Sequence, residues 1–368
     1  MTTGIVYHRR YLEHEQTPTH PERKERLAYT MDQFFEEGIF DLEEVVLLEP
    51  FEADVEDVLE VHTPEYVEFL RRESKRGGMI DYDTNIPIGV FENALLAAGG
   101  AIRAAMAVKD GEVDNAFAMV RPPGHHAKPY TGTGFCYFNN MAIMVKWLQK
   151  NGFRKVLIID WDAHHGDGTQ EIFYQDNTVL FISTHQMPLY PGTGFPHEVG
   201  EGDGEGYTLN IPLPPGSGDE VYLYAFEKVI EPVAKEFKPD FICISAGQDN
   251  HFTDPITGLA LTARGYAEIM KRAVNLAEEL CDGRLVAVLE GGYSVEAALP
   301  YTNLAIVAAM AGLDTSNIRE PSRYLSELRW RKKEYAAQKA RDNIMDLIKI
   351  HANYWNCFRR YLESLGLY

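Results

Sequence analysis

The sequence predicts an α/β protein built on a single, mainly parallel sheet flanked by helices. Three observations predict it. Short runs of Val, Ile, Leu and Phe recur along the chain, helix-patterned segments separate them, and polar residues with chemical potential stand directly after several of the runs. Runs that are apolar throughout fit strands buried on both faces, and strand–helix alternation marks parallel crossover units.

The expected strands are Ile5–Tyr7, Ala116–Val120, Lys155–Ile159, Val179–Ser183, Phe241–Ser245 and Leu285–Leu289. Helices are expected at Glu22–Glu36, Phe91–Val108, Asn140–Lys150, Glu220–Glu236, Ala263–Leu280 and Val295–Ala311. The Gly- and Pro-rich segments Arg121–Gly134, Pro188–Pro215 and Gly247–Gly258 read as long loops, which on such sheets tend to carry function. Tyr324–Leu367 reads as further helices. Residues 1–315 would form the main domain and 316–368 a helical extension packed on it.

With 35 basic against 55 acidic residues, the net charge of -20 argues against a nucleic-acid partner. Cys136, Cys243, Cys281 and Cys357 form no Cys-x-x-Cys pair, so a thiolate metal site is not expected and a reducing compartment fits. The first residues lack a basic-then-apolar leader, and the apolar stretch Ala94–Val108 contains Arg103 and is too short to span a bilayer. A cytoplasmic protein with no membrane partner is expected; a homo-oligomer is compatible with this composition.

Four expected strands run into polar segments: Arg121-Pro-Pro-Gly-His-His126, Asp160-Trp-Asp-Ala-His-His-Gly-Asp-Gly168, Ala246-Gly-Gln-Asp-Asn-His251 and Glu290-Gly-Gly-Tyr293. Open parallel sheets bind ligands outside their carboxyl ends, so these side chains should share one edge. Asp162 and His164, two apart in an extended segment, face one side, and Asp249 supplies a third donor. Three N/O ligands with an open position are the pattern of a catalytic zinc. An ion pair beneath a loop would account for Asp162 and His164 alone; Asp160, His165 and Asp167 in the same stretch favour a metal.

His125 and His126 sit on a stiff loop, with Asp160 and Asp167 available to orient them. A histidine beside an activated water can take its proton and later deliver it to a leaving amine. Different partners would separate the two pKa values and hence the two roles. Tyr293 follows Gly291-Gly292, where the absence of side chains lets the backbone approach a substrate, and its hydroxyl could stabilise a developing oxyanion. Gly134, Phe135 and Tyr190, on glycine-rich loops, could wall a narrow apolar tunnel or pack the loops internally.

These segments, together with Gly134-Phe-Cys-Tyr-Phe-Asn-Asn140, Ser183-Thr-His185, Tyr190-Pro-Gly-Thr-Gly194 and Ser245-Ala-Gly-Gln-Asp249, resemble the histone deacetylase family, from about His20 to Gly312. Class II enzymes and microbial histone-deacetylase-like amidohydrolases and acetoin-utilisation proteins are the most similar, through Asn210–Asp219 and Tyr293-Ser294. The resemblance implies the arginase/deacetylase fold, with a sheet of about eight strands. It implies Zn²⁺ on Asp162, His164 and Asp249, with Fe²⁺ as an alternative ion. His126 paired with Asp167 would be the general base and acid, His125 paired with Asp160 an electrostatic partner, and Tyr293 the carbonyl polariser. It also implies structural K⁺ near Asp160, Asp162, His164, Ser183 and Thr184, and a tunnel for acyl-lysine lined by Gly134, Phe135 and Tyr190.

Gln248 and Asn250 depart from the family pattern, which often has an apolar and a small residue around the ligand Asp. Ile256 stands where a polyamine-preferring subgroup has Glu. Asp83 could bind a substrate backbone at the rim or cap a turn. Acetyl-lysine, acetylpolyamine and small N-acyl amines all remain candidate substrates. A two-metal ureohydrolase would need carboxylates where Gly166 and His251 stand, and a non-catalytic binding module would be expected to lack a ligand or Tyr293.

Overall fold

The computed structural model describes residues 1–332 and 334–368. Ten strands occur in chain order: β1 (Thr3–Val6), β2 (Val45–Leu48), β3 (Gly78–Met79), β4 (Asn85–Ile86), β5 (Asn115–Ala118), β6 (Val156–Asp160), β7 (Val179–Gln186), β8 (Thr208–Leu213), β9 (Phe241–Ala246) and β10 (Leu285–Leu289). Eight form one sheet in the order β2-β1-β5-β10-β9-β6-β7-β8, and β3 and β4 pair as a small antiparallel ribbon. Every pairing in the large sheet is parallel. This is the arginase/deacetylase architecture.

The strand order explains the site. The chain lays down β5 and β6 with a gap between them, then returns to fill it with β9 and β10. The four strands that run into polar segments are therefore four adjacent central strands, and their carboxyl ends meet. All side chains of β6, β9 and β10 are buried, as continuous apolar runs require.

Two sheet strands fall outside the sequence expectation. β2 is a four-residue strand buried only at its two ends, Val45 and Leu48, with Leu47 exposed, which is a weak pattern for a strand. β8 lies inside the segment expected to be a loop and carries Pro212, which an edge strand tolerates because no outer ladder needs its missing N–H. The helix expected at Glu22–Glu36 begins at Glu25, and that at Val295–Ala311 begins at Leu299. The segment expected as one helix over Glu220–Glu236 contains a π-helical turn at Phe226–Ile230 between Asp219–Ala225 and Glu231–Phe237.

The apolar stretch around Ala94 forms a helix, Val90–Lys109, buried on nearly all sides within the protein. Gly99 permits this packing: a Cβ there would lie 1.8 Å from the Phe51 carbonyl oxygen. No helix among the described residues is long and apolar enough to cross a membrane. Beyond residue 315, the helices Leu325–Arg331, Glu334–His351 and Asn356–Ser364 complete the chain. Ile344, Leu347 and Ile348 join the common core, and Asn343 Nδ2 donates to the Pro212 carbonyl at 2.8 Å, so the extension covers the β8 edge.

Candidate active site

Asp160 is the last residue of β6, and the chain then turns so that backbone amides wrap around carboxylates. Asp162 N donates to Asp160 Oδ1 at 3.0 Å, His164 N to Asp162 Oδ1 at 2.8 Å and Ala163 N to Asp249 Oδ1 at 2.9 Å. Gly291 N, beyond β10, donates to Asp162 Oδ2 at 2.8 Å. His164 Nδ1 lies 2.8 Å from Asp249 Oδ2 and 3.1 Å from Asp162 Oδ1.

Asp162, His164 and Asp249 thus bring one donor atom each within 4.8 Å of one another, all three residues buried. A tetrahedral ion with ligands at about 2.0–2.2 Å has ligand–ligand edges of roughly 3.3–3.6 Å, so small shifts seat a cation. Two buried carboxylates converging on one imidazole also constitute a donor set that a divalent ion would neutralise. The cradle is tight: a Cβ at Gly247 would lie 2.0 Å from Asp162 Oδ2, and one at Gly291 2.6 Å from carboxylate oxygens of both Asp162 and Asp249. This is the cluster among the described residues whose geometry could hold a metal. His251, where a second metal would need a carboxylate, is instead bonded to Glu320 at 2.9 Å.

The paired histidines are held from behind. Glu290 Oε2 accepts from Gly124 N at 2.7 Å and His125 N at 3.1 Å. His125 Nδ1 meets Asp160 Oδ2 at 3.1 Å, and His126 Nδ1 meets Asp167 Oδ1 at 2.7 Å. Burial opposes charge on His125, but the carboxylates of Asp162 and Asp160 outweigh it and hold its pKa well above the ordinary value. Burial, followed by the neighbouring charge on His125, pulls His126 down to about 4. The pair is therefore split: His126 is neutral at pH 7, with no hydrogen bond at Nε2 among the described residues and its ring lining the cavity. Asp167 is held at about 2, because bonds from His126 and Lys128 overcome the effect of its burial.

Tyr293 lies across the cavity, and burial raises its phenol well above the usual range. Arg26, fully buried, fixes the turn before it: Nε donates to the Gly292 carbonyl at 2.7 Å, a second nitrogen reaches the Glu290 carbonyl, and the guanidinium lies 5.1 Å from the Tyr293 ring centroid. Gly292 has φ +119°, a conformation side chains rarely adopt, and does not itself line the cavity.

The cavity has a volume of about 260 Å³ and is lined by Pro21, Tyr82, Asp83, His126, Gly134, Phe135, His164, Leu189, Tyr190, Ile256 and Tyr293. Gly134 and Phe135 both adopt positive φ, at 56° and 69°. A Cβ at Gly134 would lie 2.5 Å from His126 Cδ2, so only glycine permits this approach. Phe135 N donates to Thr84 Oγ1 at 3.1 Å, and its ring stands edge-on to those of His20 and Tyr293. The Tyr190 ring stands edge-on to His126 while its hydroxyl bonds Thr133 at 2.8 Å. The turn at the rim is capped by Asp81, which accepts from Asp83 N and Thr84 N; Asp83 lines the cavity mouth and its carboxylate accepts from Thr84 Oγ1 at 3.4 Å.

Gln248 and Asn250 do not line the cavity. Gln248 donates to Asn303 at 3.2 Å; Asn250 donates to the Trp161 carbonyl at 2.6 Å and accepts from Tyr266 at 3.0 Å, bracing the ligand loops from below. Asp160 and Ser183 are register partners on β6 and β7, with Thr184 Oγ1 3.5 Å from the Asp160 carbonyl. Arg26, Lys128, Tyr82 and Leu189 were not singled out in the sequence. The one signal for Arg26 is a charge among apolar helix positions, four residues from Glu22, its partner at 3.0 Å.

The fold and its acidic-histidine edge define a hydrolase of the arginase/deacetylase architecture. Residues 20–310 match the histone deacetylase domain. The chain is 72% identical to a probable deacetylase of Archaeoglobus fulgidus, over 98% of this chain and 100% of that protein. It is 39% identical to a histone deacetylase-like amidohydrolase of Pseudomonas aeruginosa, over 75% of this chain and 73% of that one. The crystal structure of the HDA15 HD domain superposes with a TM-score of 0.87 at 33% identity, covering 99% of this chain and 98% of that chain. The chain belongs to the histone deacetylase family and is a hydrolase acting on amides.

Proposed function

We propose that the chain is a zinc-dependent deacetylase that hydrolyses the amide of acetyl-lysine, or a closely related N-acyl amine, to free amine and acetate. The observation that carries this is the split histidine pair beside a buried Asp–His–Asp cluster, with Tyr293 lining the same narrow cavity as His126 and His164. Asp162, His164 and Asp249 would hold the ion, which when bound polarises a carbonyl and acidifies water. His126 Nε2 accepts the proton of the attacking water, its ring aimed by Asp167. The Tyr293 hydroxyl, protonated at all working pH, donates to the acyl oxygen as charge develops there. His126 then gives its proton to the departing amine. His125, bonded to Asp160, would act as the electrostatic partner of His126.

Gly134, Phe135 and Tyr190 would flank the aliphatic stem of the substrate, and Asp83 would accept hydrogen bonds from its backbone at the mouth. The isoleucine at 256 favours an uncharged surround over polyamine recognition. Structural K⁺ would sit between the loop after β6 and Ser183–Thr184 of β7. Fe²⁺ fits the same N/O donors as zinc.

The test is side-by-side hydrolysis of an acetyl-lysine peptide and acetylated polyamines by zinc-loaded wild type and Tyr293→Phe. Peptide turnover that a hydroxamate blocks, and that falls about 10²–10³-fold in the variant, is expected. Absence of turnover with every acyl amine would rule out the proposal.

A further inference from the structure

The C-terminal extension does more than cover β8: it reaches the tunnel rim. The loop between Asp249 and Gly258 carries Ile256 into the cavity lining. Inside the loop, the Asp254 carboxylate accepts from Ile256 N at 3.0 Å and Tyr293 N at 2.9 Å, and Thr257 Oγ1 reaches the Asp249 carbonyl. These bonds leave two main-chain carbonyls, Asp254 and Thr257, facing outward on either side of Ile256. Arg331, at the end of the helix Leu325–Arg331, takes both: Nη2 donates to Asp254 O at 2.8 Å and Nη1 to Thr257 O. Glu320, earlier in the extension, accepts from His251 Nε2 at 2.9 Å and from Ala263 N, pinning the loop's other side.

We infer that Arg331 is a positioning residue that fixes the Ile256 rim, so that the extension sets how tightly the tunnel grips its substrate. A guanidinium fork spans two carbonyls in a fixed geometry, which an ammonium cannot do. Tyr293 is also held from outside this loop, by Arg26 through the Gly292 carbonyl. Loss of Arg331 therefore loosens the binding wall while leaving the reacting groups in place. A uniform binding loss of this kind raises KM and spares kcat.

The experiment compares zinc-loaded wild type, Arg331→Met and Arg331→Lys on an acetyl-lysine peptide, with hydrogen exchange of the 252–259 backbone as a second readout. Arg331→Met is expected to raise KM about 5- to 10-fold with kcat within about twofold, and Arg331→Lys to fall between it and wild type. Exchange at 252–259 should quicken in the same order. Unchanged KM, or a joint loss of kcat and melting temperature, would overturn the inference. Its kinetic arm rests on the proposed deacetylase activity. If wild type hydrolyses no acyl amine, that reading fails on its own, and the exchange arm still decides whether Arg331 fixes the rim.

Discussion

Histidines are buried at several places in this molecule, and two of these are built oppositely. At the carboxyl edge of the sheet, His125, His126 and His164 each face a carboxylate at 2.7–3.1 Å. In the C-terminal extension, His351 is equally buried, yet neither ring nitrogen has a hydrogen-bond partner among the described residues. Burial alone pulls His351 down to about 3. A carboxylate partner aims a buried histidine and opposes the effect of burial; without one, burial acts unopposed and the ring is not aimed. Partners, rather than burial, distinguish the chemistry of the sheet edge from the packing of the extension.

Removing a partner from the working edge should therefore have the largest consequences. Asp249→Ala opens the donor cluster, and activity should fall by at least about 10³-fold. Metal analysis after dialysis should show zinc lost from the variant and retained by wild type; retained zinc would mean that Asp249 is not a ligand. Asp167→Asn keeps the shape but offers the wrong group to His126 Nδ1. A drop of about 10²–10³-fold in kcat with intact zinc is expected. An unaffected kcat would remove His126 from its role as base.

The extension sharpens the comparison through stability. Between the ordinary histidine pKa of about 6.5 and its folded value of about 3, the unfolded chain holds a proton at residue 351 that the folded chain does not. Stability contributed by this position is thus complete above about pH 6.5 and lost as pH falls, by about 1.4 kcal/mol per unit. His351→Leu should abolish that loss: urea unfolding would show the variant gaining ~2 kcal/mol relative to wild type between pH 7 and pH 5. An identical pH dependence in both proteins would mean that His351 finds a proton acceptor in solution.

Most of the placement of the candidate site was legible because its residues follow short, continuously apolar runs of the kind that central strands need. His126, Asp162, Asp249 and Tyr293 each stand just past such a run, and adjacency of those strands did the rest. The unread parts depend on tertiary context. β8 mixes Thr208, Asn210 and Pro212 into its strand and is recognisable only once an edge is known to exist. Arg26 looks like one more helix charge until the helix is placed against the Glu290–Tyr293 turn. Arg331 lies 74 residues from Thr257, and nothing in its local sequence points there. Gln248 and Asn250, which depart from the family pattern, turn beneath the ligands and bond Asn303 and the Trp161 carbonyl, contacts that only the tertiary structure reveals.

The rim offers the smallest effect and the finest discrimination. Asp81 and Asp83 are two residues apart on one turn, but Asp81 holds the turn while Asp83 faces the cavity mouth. Burial and the adjacent Asp81 raise the Asp83 carboxyl, whereas bonds from Thr133 and the turn lower Asp81 despite its burial. Asp83→Asn keeps an acceptor and should raise KM for an acetyl-lysine peptide by only about 2- to 5-fold, while a lone acetylated amine without a peptide backbone should be unaffected. Asp81→Asn should instead disturb the turn and Thr133, and with it Tyr190, affecting both substrates alike. If Asp83→Asn changed both substrates equally, the carboxylate would be supporting the turn and the backbone-binding role would be excluded.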